Sequence, residues 1–282
     1  MTEPRLLPTA APGQTPLRVM TIAGSDSGGG AGIQADMRTF ALLGLHACVA
    51  VTAVTVQNTL GVTGIAPIPP ETVAAQMRSV VPDIGVGAVK TGMLASAPII
   101  EAIADTCGEL DIGGGRGVAL VVDPVCASMH GDPLLTADAL DTLIRRMIPL
   151  ADVVTPNLDE VRLITGIDVV DAATQRDAAR ALRDLGARWA LVKGGHLRDS
   201  ELSPDLLFDG DQFISLDLPR VNTPHDHGAG DTLAAALCGA LAHGYEVPDA
   251  VDFAKAWVTK GLQSAYPLGA GHGPVNPLWR LG

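Results

Sequence analysis

From Leu17 onward, short continuous apolar runs rich in β-branched residues alternate with segments whose apolar positions recur every three to four residues. The runs predict strands over residues 18–23, 47–54, 86–89, 118–122, 152–155 and 189–193. The segments between them predict helices over 33–43, 71–80, 98–106, 137–147, 158–165 and 172–185. Strands apolar on both sides belong in a sheet covered on both faces, and intervening helices make that sheet parallel. After Lys193 the pattern changes. Runs over 205–209 and 212–217 flank Asp209-Gly210-Asp211, a hairpin signal, and two long helices follow over 230–243 and 248–265. Residues 1–16, punctuated by Pro4, Pro8, Pro12 and Pro16, read as a flexible N-terminal tail, and 17–282 as a single domain.

Charge narrows the function. Nineteen Lys and Arg face 31 Asp and Glu, a formal net charge of −12. A field of that sign repels nucleic-acid phosphates and anionic membrane surfaces, so neither is an expected partner. Residues 1–16 lack the apolar segment of a signal peptide, and no apolar run reaches the ~18 residues of a membrane span. Cys48, Cys107, Cys126 and Cys238 are scattered, without metal-binding or disulfide spacing. A cytoplasmic enzyme or binding protein for small molecules is the expectation.

The chain contains no Walker A loop, no strict G-x-G-x-x-G, no G-x-S-x-G elbow and no zinc-binding spacing. Two glycine-rich turns offer another route to phosphate chemistry. The first, Ala23-Gly24-Ser25-Asp26-Ser27-Gly28-Gly29-Gly30-Ala31-Gly32, follows the first strand, where parallel sheets place ligands. It is either a plain loop or a floor beneath a substrate, with Asp36 on the next helix as its polar anchor. The second, His227-Gly228-Ala229-Gly230-Asp231-Thr232, opens a helix, and helix N-termini gather N–H groups and positive dipole toward one spot. Asp231 there is either a first-turn carboxylate suited to the dipole or a general base beside an anion hole. In Thr155-Pro156-Asn157-Leu158-Asp159-Glu160, Asn157 and Glu160 have the spacing of a capping box, while Glu160 equally suits Mg²⁺. Lys193-Gly194-Gly195-His196 places a cation at another strand end.

The motif running from Ala23 through Gly32 to Ile33-Gln34-Ala35-Asp36 closely resembles the opening of the hydroxymethylpyrimidine/phosphomethylpyrimidine kinases of thiamine biosynthesis. The similarity continues through Thr52-Ala53-Val54-Thr55-Val56-Gln57-Asn58, Lys90-Thr91-Gly92-Met93-Leu94, Val122-Asp123-Pro124-Val125, Thr155-Pro156-Asn157 with Glu160, and Lys193 to His196. It covers roughly residues 17–279. The resemblance implies a ribokinase-like α/β three-layer sandwich, with a mainly parallel central sheet and helices on both faces. It implies ATP and Mg²⁺, and two reactions: phosphorylation of 4-amino-5-hydroxymethyl-2-methylpyrimidine, then of its monophosphate. Carried onto this chain, Gly24, Asp36, Gln57 and Met93 match pyrimidine-site positions. Asn157, Lys193, His227 and Thr232 match the nucleotide side, with Glu160 at the metal. Gly228, Ala229, Gly230 and Asp231 match the anion hole and base. The superfamily also includes homodimers.

One departure stands out. The family pattern carries H-G-T-G-C where this chain has His227-Gly228-Ala229-Gly230-Asp231, a turn closer to that of the sugar kinases. The change bears on the relative strength of the two reactions. A pyridoxal or pyridoxine kinase of the same fold is the nearest alternative, and a non-catalytic pyrimidine-binding protein the alternative from another class.

Overall fold

In the computed structural model, which describes residues 7–126, 134–195 and 201–281, the first strand β1 (Arg18–Ala23) lies inside an eight-stranded sheet. Strand β2 (His46–Val51) pairs with it in parallel on one side, and β5 (Ala88–Thr91) on the other. Parallel pairing continues outward through β6 (Ala119–Val122), β7 (Val153–Val154) and β8 (Trp189–Val192). The antiparallel hairpin β9 (Leu202–Phe208) and β10 (Phe213–Pro219) completes the far edge.

Alternation along the strands shows why both faces are covered. Met20, Ile22, Leu120 and Val122 enter one apolar cluster, with α2 (Pro70–Ile84), α3 (Ala97–Glu109), α4 (Ala137–Thr142), α5 (Leu158–Thr165) and α6 (Ala172–Asp184). Val19, Val121 and Val153 enter a second, with α1 (Gly32–Leu42), α7 (Ala229–Ala242) and α8 (Val247–Gln263). Successive strand residues point to opposite faces, so a sheet buried on both sides needs apolar residues at every position. The result is the expected three-layer sandwich.

Three differences from the sequence reading have local causes. The strand predicted over 47–54 is two strands, because the chain turns out of the sheet at Thr52. There the Thr52 hydroxyl donates to Met93 O at 2.7 Å, and its N–H to Ala23 O. The continuation, β3 (Ala53–Asn58), pairs only with β4 (Gly61–Pro67), forming a separate two-stranded hairpin above the sheet. The helix predicted over 137–147 ends at Thr142 and passes into a π-helical turn, Leu143–Met147. The tail is exposed over residues 8–15, but Leu7 is buried in the second cluster. No helix among the described residues is long and apolar enough to cross a membrane. His196 lies outside the described residues.

Candidate active site

The two glycine-rich turns interlock. The Asp26 carboxylate accepts N–H groups from Gly28, Gly30 and Ala31 at 2.8–2.9 Å. It also meets His227 Nε2 at 2.8 Å, an arrangement that puts a proton on that nitrogen. Burial alone would raise Asp26, but His227 and the loop amides outweigh it and hold the carboxyl below its ordinary range. Gly228 packs on the same loop with φ +79°, and a Cβ on it would collide with Gly30 O. Only glycine fits there. His227 is thus a brace between the turns.

That clasp sets the start of α7. Gly228 is its N-cap, and the Ala229 N–H is spent on Asp226 O at 3.0 Å. Thr232 N–H makes the bond to Gly228 O at 2.9 Å, and the Thr232 residue is buried. The amides left to face a ligand are those of Gly230 and Asp231, backed by the positive end of the dipole. Of the predicted anion hole, therefore, Gly228 and Ala229 shape the turn, and the N–H groups of Gly230 and Asp231 are the ones without a backbone acceptor among the described residues.

Beneath the turn lies a buried charge relay. Lys90 Nζ donates to Asp231 Oδ1 at 2.9 Å and to both oxygens of Asp36 at 2.9 and 3.0 Å. The Thr21 hydroxyl completes Asp36 at 2.6 Å. The side chains of Lys90 and Asp36 are 0% exposed, whereas that of Asp231 is 15% exposed, so Asp231 is the member presented outward. Burial opposes the charge on Lys90, but Asp231 and Asp36 overcome it and hold the ammonium above its ordinary pKa. Burial likewise opposes ionisation of Asp231, yet Lys90 and the Gly32 N–H outweigh it and keep the carboxyl below its usual range. For Asp36 burial wins, pushing it up to about 7 despite Lys90. Asp36 is fully buried, its oxygens engaged by Thr21 and Lys90.

A second cluster flanks the first. Asp123 Oδ1 accepts from Lys193 Nζ at 3.1 Å and from the Thr155 hydroxyl at 3.0 Å. Burial works against the Lys193 ammonium, but Asp123 and Glu160 hold its pKa above the ordinary value. Asn157 and Glu160 form the capping box of α5: Asn157 Oδ1 accepts Glu160 N–H at 2.9 Å, and Glu160 Oε2 accepts Asn157 N–H at 2.8 Å. Burial pushes the Glu160 carboxyl up to about 7, with Lys193 opposing and Asp123 adding to the rise. A Cβ built on Gly230 would stand 3.4 Å from Lys193 Nζ and 3.6 Å from Asp123 Oδ2, so both clusters border the α7 start.

Of the four pyrimidine-site expectations, Gly24 and Met93 meet each other at the end of β1. The Gly24 N–H donates to Met93 O at 3.1 Å, and a Cβ on Gly24 would strike the Met93 methyl. Gln57, half-buried at the bulge of β3, makes no side-chain hydrogen bond among the described residues. Sequence reasoning left Lys90, Asp123 and Asp26 off the site. Each lay inside a quoted motif, and a lone polar residue within an apolar strand or at its end was the signal available for Lys90 and Asp123.

The fold and site have close counterparts. Residues 26–276 match the phosphomethylpyrimidine kinase family. A hydroxymethylpyrimidine/phosphomethylpyrimidine kinase of Mycobacterium leprae is 64% identical over 278 residues, covering 97% of this chain and 98% of that protein. The ADP complex of Bacillus subtilis pyridoxal kinase superposes with a TM-score of 0.85 at 34% identity, over 94% of this chain and 99% of that one. A phosphomethylpyrimidine kinase from Clostridium difficile gives 0.76 at 36% identity, over 86% and 98%. With its sandwich, interlocked glycine turns and α7 start in place, the chain belongs to the phosphomethylpyrimidine kinase family and has the ribokinase-like fold.

Proposed function

We infer that this chain moves the γ-phosphoryl group of ATP first onto the hydroxymethyl oxygen of 4-amino-5-hydroxymethyl-2-methylpyrimidine, and then a second onto the resulting monophosphate. The observation that carries this reading is Asp231, ionised, paired with buried Lys90 and presented at the N-terminus of α7. In the first step the substrate oxygen attacks phosphorus as the bond to ADP breaks, and the hydroxyl proton passes to Asp231. Positioned general-base help of this kind contributes ~10²–10⁴-fold. The Gly230 and Asp231 amides stabilise the charge on the transferring group. In the second step the nucleophile is a phosphate, with its second pKa near 6, and no proton need be removed. Lys90 then matters differently, by neutralising Asp231 and lowering its repulsion of the incoming dianion.

Gln57 offers an amide that both donates and accepts to the ring edge, and Met93 an apolar wall over Gly24. Lys193 is placed to meet ATP phosphates. The donor set also fits Mg²⁺: Asp123 and Glu160 are hard carboxylates, and among the described residues no group of three or more ligands forms a complete protein cage. Mg²⁺ keeps to one or two carboxylates plus phosphate and water oxygens, which matches that pair. Charge neutralisation of the polyphosphate is the chemistry it supplies when bound. Four unpaired, buried cysteines support a reducing, cytoplasmic setting.

The likeness to a pyridoxal kinase favours a second reading, phosphorylation of a vitamin B6 alcohol at the same base. A phosphorus NMR time course with ATP and Mg²⁺ separates the two. The expected result is diphosphate formed both from hydroxymethylpyrimidine and from its monophosphate. Transfer to pyridoxine alone, with neither pyrimidine consumed, would overturn the first reading.

A further inference from the structure

A second buried ion pair lies outside the chemistry described so far. Lys255, midway along α8, meets Asp205 Oδ2 of β9 at 2.6 Å, with side-chain exposures of 5% and 6%. Its ammonium also donates to Ser203 O at 2.8 Å. The other oxygen, Asp205 Oδ1, accepts the Gly194 N–H at 2.8 Å. Stability does not account for this pair. Replacing a buried ion pair by apolar residues of similar volume is often neutral or stabilising, because both ions lose their hydration.

The strand register explains what the pair does. β8 and β9 run antiparallel with Ala190 opposite Phe208, Leu191 opposite Leu207 and Val192 opposite Leu206. Continued one step further, Lys193 faces Asp205, and the next step sets Gly194 against Pro204. Proline has no N–H to give, so the ladder ends there. The chain leaves the sheet at Lys193 and Gly194, and a side chain, Asp205, takes the Gly194 N–H in place of a strand carbonyl. Gln175 ties the same junction, donating to Val192 O at 3.2 Å and Pro204 O at 3.0 Å. Lys193 itself is fixed at its N–H by Pro156 O at 3.0 Å.

We propose that Asp205 is a positioning residue for phosphoryl transfer: with Lys255 as its counter-ion, Asp205 holds the Gly194 amide, and the held turn aims Lys193 at the ATP phosphates. The inference rests on the assignment of Lys193 to ATP made above.

Two charge-free double variants isolate the acceptor from the ion pair. Lys255→Met with Asp205→Asn keeps an oxygen for Gly194, whereas Lys255→Met with Asp205→Val removes it in a side chain suited to a strand. Melting temperatures report that each folds, and Asp205→Leu replaces valine should that variant not fold. Initial rates then give KM for ATP and for hydroxymethylpyrimidine separately. The asparagine variant is expected to keep the parental KM for ATP, and the valine variant to raise it about tenfold, with the pyrimidine KM unchanged in both. Equal ATP KM values in the two folded variants would overturn the proposal. Lys193→Met serves as the reference and is expected to raise the ATP KM by about tenfold or more. If it does not, the assignment of Lys193 falls and takes this inference with it. If it does while the double variants agree, this inference falls alone.

Discussion

Glu160 belongs to the fold and, under the proposed function, to the metal site as well. It closes the capping box of α5, and burial pushes its carboxyl up to about 7. In the unfolded chain a glutamate titrates near 4.3. Between those values the folded state binds more protons than the unfolded one, so stability falls as pH rises through that window. Asp36, also raised to about 7, acts in the same direction. Glutamine keeps the capping-box geometry but cannot ionise. Glu160→Gln is therefore expected to lose less stability than the parent between about pH 5 and pH 7.5. Urea denaturation at the two pH values checks this, and an unchanged difference would contradict it. The same variant is expected to raise the Mg²⁺ concentration needed for half-maximal rate, and an identical titration would confine Glu160 to the helix cap.

Gly24 is the other residue whose role is sharply defined. A Cβ on Gly24 would strike the Met93 methyl, so Gly24→Ala must displace the side chain that the proposed function makes the wall of the pyrimidine site. We expect about tenfold higher KM for hydroxymethylpyrimidine with KM for ATP unchanged, read from initial rates. A shift in both constants would place Gly24 elsewhere. Gly24 and Asp231 were singled out in the sequence because turn glycines and helix-opening polar residues mark the ligand edge of a parallel sheet, whereas Met93 entered only through the family resemblance. Lys90 showed only as a lone polar residue at an apolar strand, and its partners, like that of Asp26, lie 54, 141 and 201 residues away. No local pattern reports such distances.

At the scale of elements, the β3–β4 hairpin and the loop after α8 act on each other. Gly271 and His272 donate backbone N–H groups to Thr59 Oγ1 and Thr59 O, both at 3.2 Å, at the hairpin tip. A few residues on, Val275 N–H donates to His227 O at 3.0 Å, and His227 N–H to Gly273 O at 3.2 Å. One loop thus grips both the hairpin that carries Gln57 and the turn that opens α7. A Cβ on Gly271 would collide with Thr59 O, so Gly271→Ala must push the tip away. A looser hairpin admits water to the phosphoryl group. ADP is then expected to form in excess of phosphorylated pyrimidine, a mismatch that parallel assays of the two products detect. Unchanged coupling would show that the contact does not guard the site. The hairpin itself escaped the sequence reading because an unbroken apolar run hides the bend at Thr52, where the deciding hydrogen bonds reach Met93 and Ala23.

At the scale of the molecule, the parallel sheet, the order of strands and helices and the ligand edge follow from periodicity and turn chemistry. The relay that joins Asp36, Lys90 and Asp231 follows only from folding, which brings α1, β5 and the start of α7 together so that the three groups meet. Under the proposed function that relay presents an oriented, ionised Asp231 to the step that needs a base, and Lys90 offsets its charge in the step that does not. Single-turnover rates of Asp231→Asn with hydroxymethylpyrimidine and with its monophosphate test it most directly. The expected result is a loss of ~10²–10⁴-fold in the first phosphorylation and a far smaller change in the second. Equal losses in both would contradict it.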